Sequence, residues 1–175
     1  SLSNDPSSRL VLIDNLARGK MDAELKALAM MPNVKLITGD LTDARTYKKL
    51  GSGYDEVYHL AAVVGVGTVV DKPHDALRIN ALSTLHLLEW FVKGGGRKIL
   101  FSSTSEAYAW TNFFHRLPIP TAEEVPLSLT DLYNPRSSYA GSKIFGELAV
   151  TQYCDIYKKA FVIIRYHNIY GPRMG

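Results

Sequence analysis

Arg9-Leu-Val-Leu-Ile-Asp14 decides the fold: it is an unbroken apolar run of strand length that ends on an acid, the pattern of a strand buried on both faces of a parallel sheet. Next to it, Asp22 to Met31 carries Ala, Leu, Glu, Lys and Met, which predicts a helix that Pro32-Asn33 stops. Val34-Lys-Leu-Ile-Thr38 reads as the next strand. The alternation continues with a helix over Thr42 to Leu50, a strand Glu56-Val-Tyr-His-Leu60, a long helix from Pro73 to Val92 and a strand Lys98-Ile-Leu-Phe-Ser102. Gly94-Gly-Gly96 reads as a helix stop and turn rather than a phosphate cradle, because no strand precedes it and no helix follows it. A polar, proline-bearing loop from about Trp110 to Asn134 leads to a helix from Ser137 to Tyr157 and a strand Phe161-Val-Ile-Ile-Arg165. Strands alternating with helices in this way predict a doubly wound parallel α/β sheet whose ligands sit at the carboxyl ends of the strands. The loop is longer than compact domains usually carry, so it is expected to contribute to a site or lid.

The 175 residues are 46% hydrophobic, 21% charged and 10% aromatic, which suits one globular domain and excludes disordered or collagen-like chains. Leu60 to Val70 is the best apolar run. It is broken by Gly65 and Gly67 and falls short of the roughly 18 residues of a membrane helix. The polar start, Ser1-Leu-Ser-Asn-Asp-Pro-Ser-Ser8, lacks the pattern of a signal peptide and reads like a chain already in progress. Cys154 is the single cysteine, so neither an internal disulfide nor a cysteine-pair zinc site is available, and a cytoplasmic address is the expectation. A net charge of +3 with scattered Lys and Arg makes no nucleic-acid stripe, though it suits a small anionic ligand.

Candidate chemistry gathers at the strand ends. Asp14 stands where a dinucleotide fold places the acid that hydrogen-bonds the adenosine ribose and repels a 2′-phosphate, which favours NAD over NADP; a capping or loop aspartate is the plainer alternative, and Arg18 weakens the preference. Asp40, in Gly39-Asp-Leu-Thr-Asp43, can face an adenine edge while Leu41 packs on its ring, with Thr42 or Asp43 free to cap a helix. In Ser137-Ser-Tyr-Ala-Gly-Ser-Lys143, Tyr139 and Lys143 share one helical face about 6 Å apart along the axis. A free phenol titrates near 10, so a tyrosinate working at neutral pH needs roughly three units of depression, much of which a lysine ammonium and a nicotinamide cation can supply. Phe101-Ser-Ser-Thr-Ser-Glu-Ala-Tyr108 carries more hydroxyls than strand termination needs. They can bond a substrate alcohol, and Glu106 can serve as a general acid or base if burial raises its pKa.

These residues together resemble the extended short-chain dehydrogenase/reductases that modify nucleotide sugars, the NAD-dependent epimerase/dehydratase group. The resemblance covers nearly the whole chain. It rests on Asp14-Asn-Leu16, Gly39-Asp-Leu-Thr-Asp43, His59-Leu-Ala-Ala62, Asn80, Ser102-Ser-Thr104, Tyr139 with Lys143, and Arg165-Tyr-His-Asn-Ile-Tyr-Gly-Pro-Arg173. It implies a Rossmann-like sheet and NAD as cofactor. Asp14 and Asn15 would hold the adenosine ribose, and Asp40 and Leu41 the adenine. Leu60, Ala61, Ala62, Asn80, Ser102 and Tyr166 would line the rest of the cofactor site, with His167 near the nicotinamide. Tyr139 would be the catalytic base and Lys143 its electrostatic partner, both also contacting the nicotinamide ribose. Thr104 would orient the sugar 4-hydroxyl, Ser105 would touch substrate, and Asn168 would lie near its diphosphate.

The shared chemistry of such enzymes begins as Tyr139 removes the 4-hydroxyl proton while hydride passes from C4 to NAD, leaving a 4-keto sugar. Re-reduction on the other face makes a 4-epimerase, elimination at C5 and C6 a 4,6-dehydratase, and loss of a C5 carboxylate a decarboxylase. Ser103-Thr-Ser-Glu106 resembles UDP-glucuronate decarboxylases and GDP-mannose 4,6-dehydratases, which use the glutamate, whereas Arg165 to Arg173 resembles the epimerase and decarboxylase pattern. The family opens with a strand and a Gly-rich loop that this sequence lacks, so 1–175 is expected to be a partial NAD-binding domain, short of roughly 25 to 30 residues of the first β-α unit and of a substrate-binding region after Gly175. The usual strand order would place the missing strand centrally and leave two half-sheets. The family also implies a homodimer through the helices Pro73 to Val92 and Ser137 to Tyr157, although their apolar positions suit ordinary core equally. A non-enzymatic NAD-binding sensor or scaffold is the other reading, opposed by the intact Thr104, Tyr139 and Lys143.

Overall fold

The computed structural model describes residues 2–129 and 131–171. It divides into two compact units, Ser1–Lys49 and Leu50–Gly175. In the first, β1 (Leu10–Asp14) pairs in parallel with β2 (Val34–Thr38), Leu10 opposite Val34 and Asp14 opposite Thr38. Between them lies α1 (Ala23–Ala29), whose N-cap Asp22 accepts the Leu25 N–H at 2.8 Å. Val34, Ile37, Thr46 and Tyr47 are buried in this unit. The helix expected over Thr42 to Leu50 is reduced to one 3-10 turn, Thr46–Lys49. Here Asp40 accepts the Thr42 N–H and hydroxyl, both at 2.8 Å, and Asp43 accepts the Arg45 N–H at 2.9 Å, so side chains satisfy donors that a helix would otherwise use.

The second unit holds a three-stranded parallel sheet in the order β3-β4-β5, formed by β3 (Tyr54–His59), β4 (Gly96–Thr104) and β5 (Ala160–Tyr166). The described residues therefore form two separate parallel sheets, one in each unit, in place of the single doubly wound sheet expected from the alternation. Its helices are α2 (Val66–Asp71), α3 (Pro73–Trp90), α4 (Glu106–His115) and α5 (Arg136–Tyr157). α3 ends in the turn Phe91–Gly95, where Gly94 takes φ 101° and a Cβ on Gly95 would lie 2.6 Å from the Trp90 ring, as a glycine helix stop requires. The long loop expected from Trp110 to Asn134 is corrected in its first part, because α4 runs to His115. α2 is likewise a helix that the broken apolar run Leu60 to Val70 did not announce.

α5 positions the site. Its buried face runs through Ala140, Lys143, Gly146, Glu147, Val150 and Cys154, at the three- and four-residue spacing of one helical stripe. Gly146 lets the helix lie directly on β4, since a Cβ there would collide with the fully buried Phe101 ring. Gly146→Ala is accordingly expected to cost about 1–3 kcal/mol by overpacking. Urea denaturation checks it, and an unchanged midpoint would show that the close approach is not required.

Candidate active site

The unit Ser1–Lys49 carries the first group of expected residues. Asp14 and Asn15 are exposed at the end of β1, and Asp40 is exposed beside half-buried Leu41 after β2. The two strand ends are tied by Gly39 N–H donating to Asp14 O at 3.1 Å. Asp14 Oδ1 accepts the Leu16 N–H at 2.6 Å and holds that residue at φ 58°, while Asn15 accepts the Ala17 N–H at 3.0 Å. An exposed carboxylate at a parallel strand end, on a turn stabilised by its own side-chain bonds, has the chemistry to accept from a pair of ribose hydroxyls.

The unit Leu50–Gly175 brings the second group together. A cavity of about 360 Å3 opens at the carboxyl ends of its strands, lined by Leu60, Ala62, Val64, Ser102, Ser103, Thr104, Tyr139, Lys143, Tyr166 and His167. A second, of about 200 Å3, is lined by Val64, Gly65, Val66, Val69, Thr104, Glu106, Arg136 and Tyr139. Val64, Thr104 and Tyr139 belong to both walls. Apolar side chains from the segment after β3 face hydroxyls and an ammonium, which suits a planar ring carried on a ribose.

Every hydroxyl at the end of β4 has an identifiable task. Ser102 Oγ donates to His59 O at 2.9 Å, Ser103 Oγ donates to Glu147, and Thr104 Oγ1 accepts the Glu106 N–H at 3.2 Å. Lys143 is buried and donates to Ser102 O at 2.6 Å, with its Nζ 6.0 Å from the Tyr139 ring centre. Burial pushes the Lys143 ammonium down to about 8. Tyr139 departs from the depressed phenol expected above: burial raises it beyond its ordinary value, the Glu106 charge adds to the rise, and the neighbouring Thr104 hydroxyl opposes it. The chain by itself thus keeps this phenol protonated.

Other expected residues take different places. Asn80 is buried in α3 and spends its amide on the segment after β3, accepting Val63 N–H at 2.7 Å and donating to Val63 O at 3.3 Å and to Ser142 Oγ at 3.0 Å. It therefore shapes the cavity wall from behind. Ser105 caps α4, while Ala61 and Asn168 are exposed on the chain after β3 and β5; none of the three is in the cavity linings. Pro172 and Arg173 of the last motif lie outside the described residues. Sequence reasoning missed Arg136, whose Nη2 lies 3.1 Å from Glu106 Oε1, although its position one turn before Tyr139 on the same helix was a usable signal. It missed Glu147 as well, which Arg165 grips with Nε at 2.9 Å and Nη2 at 2.7 Å.

His59 adds a pH dependence. Thr84 Oγ1 gives its proton to Asn80 O at 2.8 Å, so His59 Nε2 is the donor in their 3.0 Å contact and Nδ1 is left a buried acceptor without a partner. Burial, aided by the Lys143 charge, holds the imidazole at about 3 instead of 6.5. Between those values the unfolded chain binds the proton and the folded one does not, so stability falls as pH drops through that window. His59→Asn should flatten this slope in denaturation midpoints measured across it; an equally steep slope would assign the loss to other groups.

A parallel α/β unit with its cavity at the strand ends is the architecture of nucleotide-binding enzymes. The chain belongs to the NAD dependent epimerase/dehydratase family, whose model matches residues 2–175. Among curated relatives, it is 29% identical to the UDP-N-acetyl-alpha-D-glucosaminuronate decarboxylase of Bacillus cytotoxicus over 94% of this chain and 48% of that protein. It is 27% identical to the UDP-glucose 4-epimerase of Corynebacterium glutamicum over 93% of this chain and 44% of that one. Among solved structures, the Bordetella bronchiseptica enzyme WbmF in complex with NAD+ superposes with a TM-score of 0.68 at 26% identity, over 94% of this chain and 43% of that one. The chain spans about half the length of the curated relatives it matches. Among the described residues, no helix is long and apolar enough to cross a membrane.

Proposed function

We propose that this chain is the NAD-binding part of an enzyme that oxidises a nucleotide-linked sugar at C4, in the manner of the nucleotide-sugar 4-epimerases. The placement of Tyr139 on the wall shared by both cavities, with Thr104 on the same wall and Lys143 Nζ 6.0 Å from its ring centre, carries the reading. Asp14, Asn15, Asp40 and Leu41 would hold the adenosine end of NAD, and Ala62, Ser102, Lys143 and Tyr166 the nicotinamide end. When bound, NAD supplies the hydride acceptor and a positive ring charge.

The chain's own residues supply the proton chemistry. Thr104 presents its hydroxyl to the sugar 4-hydroxyl, and the Tyr139 oxygen, which would release its own proton to solvent only with the positive charge of bound NAD beside it, would take the sugar's proton. Lys143, fixed by Ser102, holds a positive charge behind the phenol. Val64, Val66 and Val69 give the adjoining cavity an apolar side opposite Glu106 and Arg136. Glu106 on that cavity supports a second reading, a decarboxylase or 4,6-dehydratase in which its carboxylate takes part after the 4-keto stage.

Apolar side chains left open on α3 and α5, Leu77, Phe145 and Leu148, are 47%, 37% and 59% exposed and support a homodimer through these helices. The free, buried Cys154 agrees with a reducing, cytoplasmic setting. NMR of the full-length protein with NAD and a panel of UDP-, GDP- and dTDP-sugars, UDP-glucuronate included, tests the reading. A C4 epimer is the expected product; release of water or carbon dioxide selects the Glu106 reading, and an unchanged panel rejects both.

A further inference from the structure

Arg136 begins α5 and donates from Nη2 to Glu106 Oε1 at 3.1 Å, with both side chains on the cavity wall that includes Tyr139 and Thr104. Their side chains are 53% and 31% exposed, and a pair so open to water contributes little to folding. Its placement therefore needs an account other than stability. Several titratable or charged groups face Tyr139. α4 offers Glu106, α5 offers Arg136 and Lys143, and the end of β5 offers Tyr166 and His167. β3 contributes the neutral His59 behind Lys143, β4 only hydroxyls, and α2 only Val66 and Val69. Glu106 is thus the acidic group on this wall, and its field opposes loss of the phenol proton.

We propose that Arg136 is a positioning residue of this site: its ion pair holds the Glu106 carboxylate in place on the second cavity and screens that charge from the Tyr139 hydroxyl. A carboxylate beside a guanidinium presents a dipole in place of a full charge, and the dipole's field falls off faster with distance. The pair also aims the Glu106 carboxylate at whatever occupies the cavity. The inference rests on the proposed role of Tyr139 only where turnover is concerned.

Ultraviolet titration of tyrosinate in the NAD-free full-length protein, taken as the difference between each variant and the same variant carrying Tyr139→Phe, isolates this phenol. Arg136→Gln should move its titration to higher pH, Glu106→Gln should move it lower, and Arg136→Lys should stay near the parent. In the Glu106→Gln background, Arg136→Gln should have little effect. A full upward shift in that background would show that Arg136 acts on Tyr139 directly and would overturn the proposal, as would no shift from Arg136→Gln alone. In turnover, the acid limb of kcat/KM should move with the titration. If no sugar is turned over by the parent protein, the functional reading fails while the titration still decides the role of Arg136.

Discussion

Tyr139→Phe is expected to lower turnover of the nucleotide sugar by roughly 10²–10⁴-fold while leaving NAD binding nearly unchanged, because it deletes one proton-transferring oxygen and keeps the ring in the wall of both cavities. The substitution is also conservative in packing, since Thr104, the hydroxyl beside the phenol on both walls, keeps its bond to the Glu106 N–H. Steady-state rates on the full-length protein and titration calorimetry with NAD check the two halves together. A variant that keeps most of its rate would remove Tyr139 from the chemistry and restore the sensor or scaffold reading. Loss of NAD affinity equal to the loss of rate would make its role one of binding.

Glu147→Ala should have the largest effect on stability, about 3–5 kcal/mol, because it leaves a guanidinium without its carboxylate at a site where the side chains are 18% and 8% exposed. Arg165 is gripped in a fork by Glu147, donates to Tyr108 Oη and Glu123 O, each at 2.8 Å, and lies over the Tyr108 ring. Glu147 also accepts the Ser103 hydroxyl. One pair therefore joins β4, β5, α4 and α5 to the segment after α4. Denaturation of Glu147→Ala, Arg165→Met and the doubly apolar Glu147→Leu/Arg165→Met variant measures it. The double variant should be less destabilised than either single one, since no buried charge is then left alone; additive losses would show that the residues act separately.

Much of this fold is legible in sequence because β1 and β5 are nearly continuous apolar runs, β4 has an apolar centre, and the longest helix repeats at three and four residues. The four-residue spacing of Tyr139 and Lys143 places both on α5 in the wall of one cavity. α4 was hidden by its composition: its buried positions, Ala107 and Thr111, are small, while its large apolar residues Phe113 and Phe114 end up 75% and 58% exposed, so the apolar pattern does not mark the buried face. Thr42 to Leu50 failed in the opposite way, since its helical composition lost to local bonds from Asp40 and Asp43. The ion pairs were illegible for a third reason. Glu106 and Arg136 are 30 residues apart and Glu147 and Arg165 are 18 apart, so only the packing of α4 and β5 against α5 brings them together.

The central claim is that the bond broken first is C4–H of the sugar. Single-turnover rates of the full-length protein with a nucleotide sugar carrying deuterium at C4, against the unlabelled sugar, measure it most directly. The account predicts slower conversion of the labelled sugar, a primary isotope effect. Equal rates for the two sugars, together with slowing when deuterium is placed at C5 instead, would contradict it.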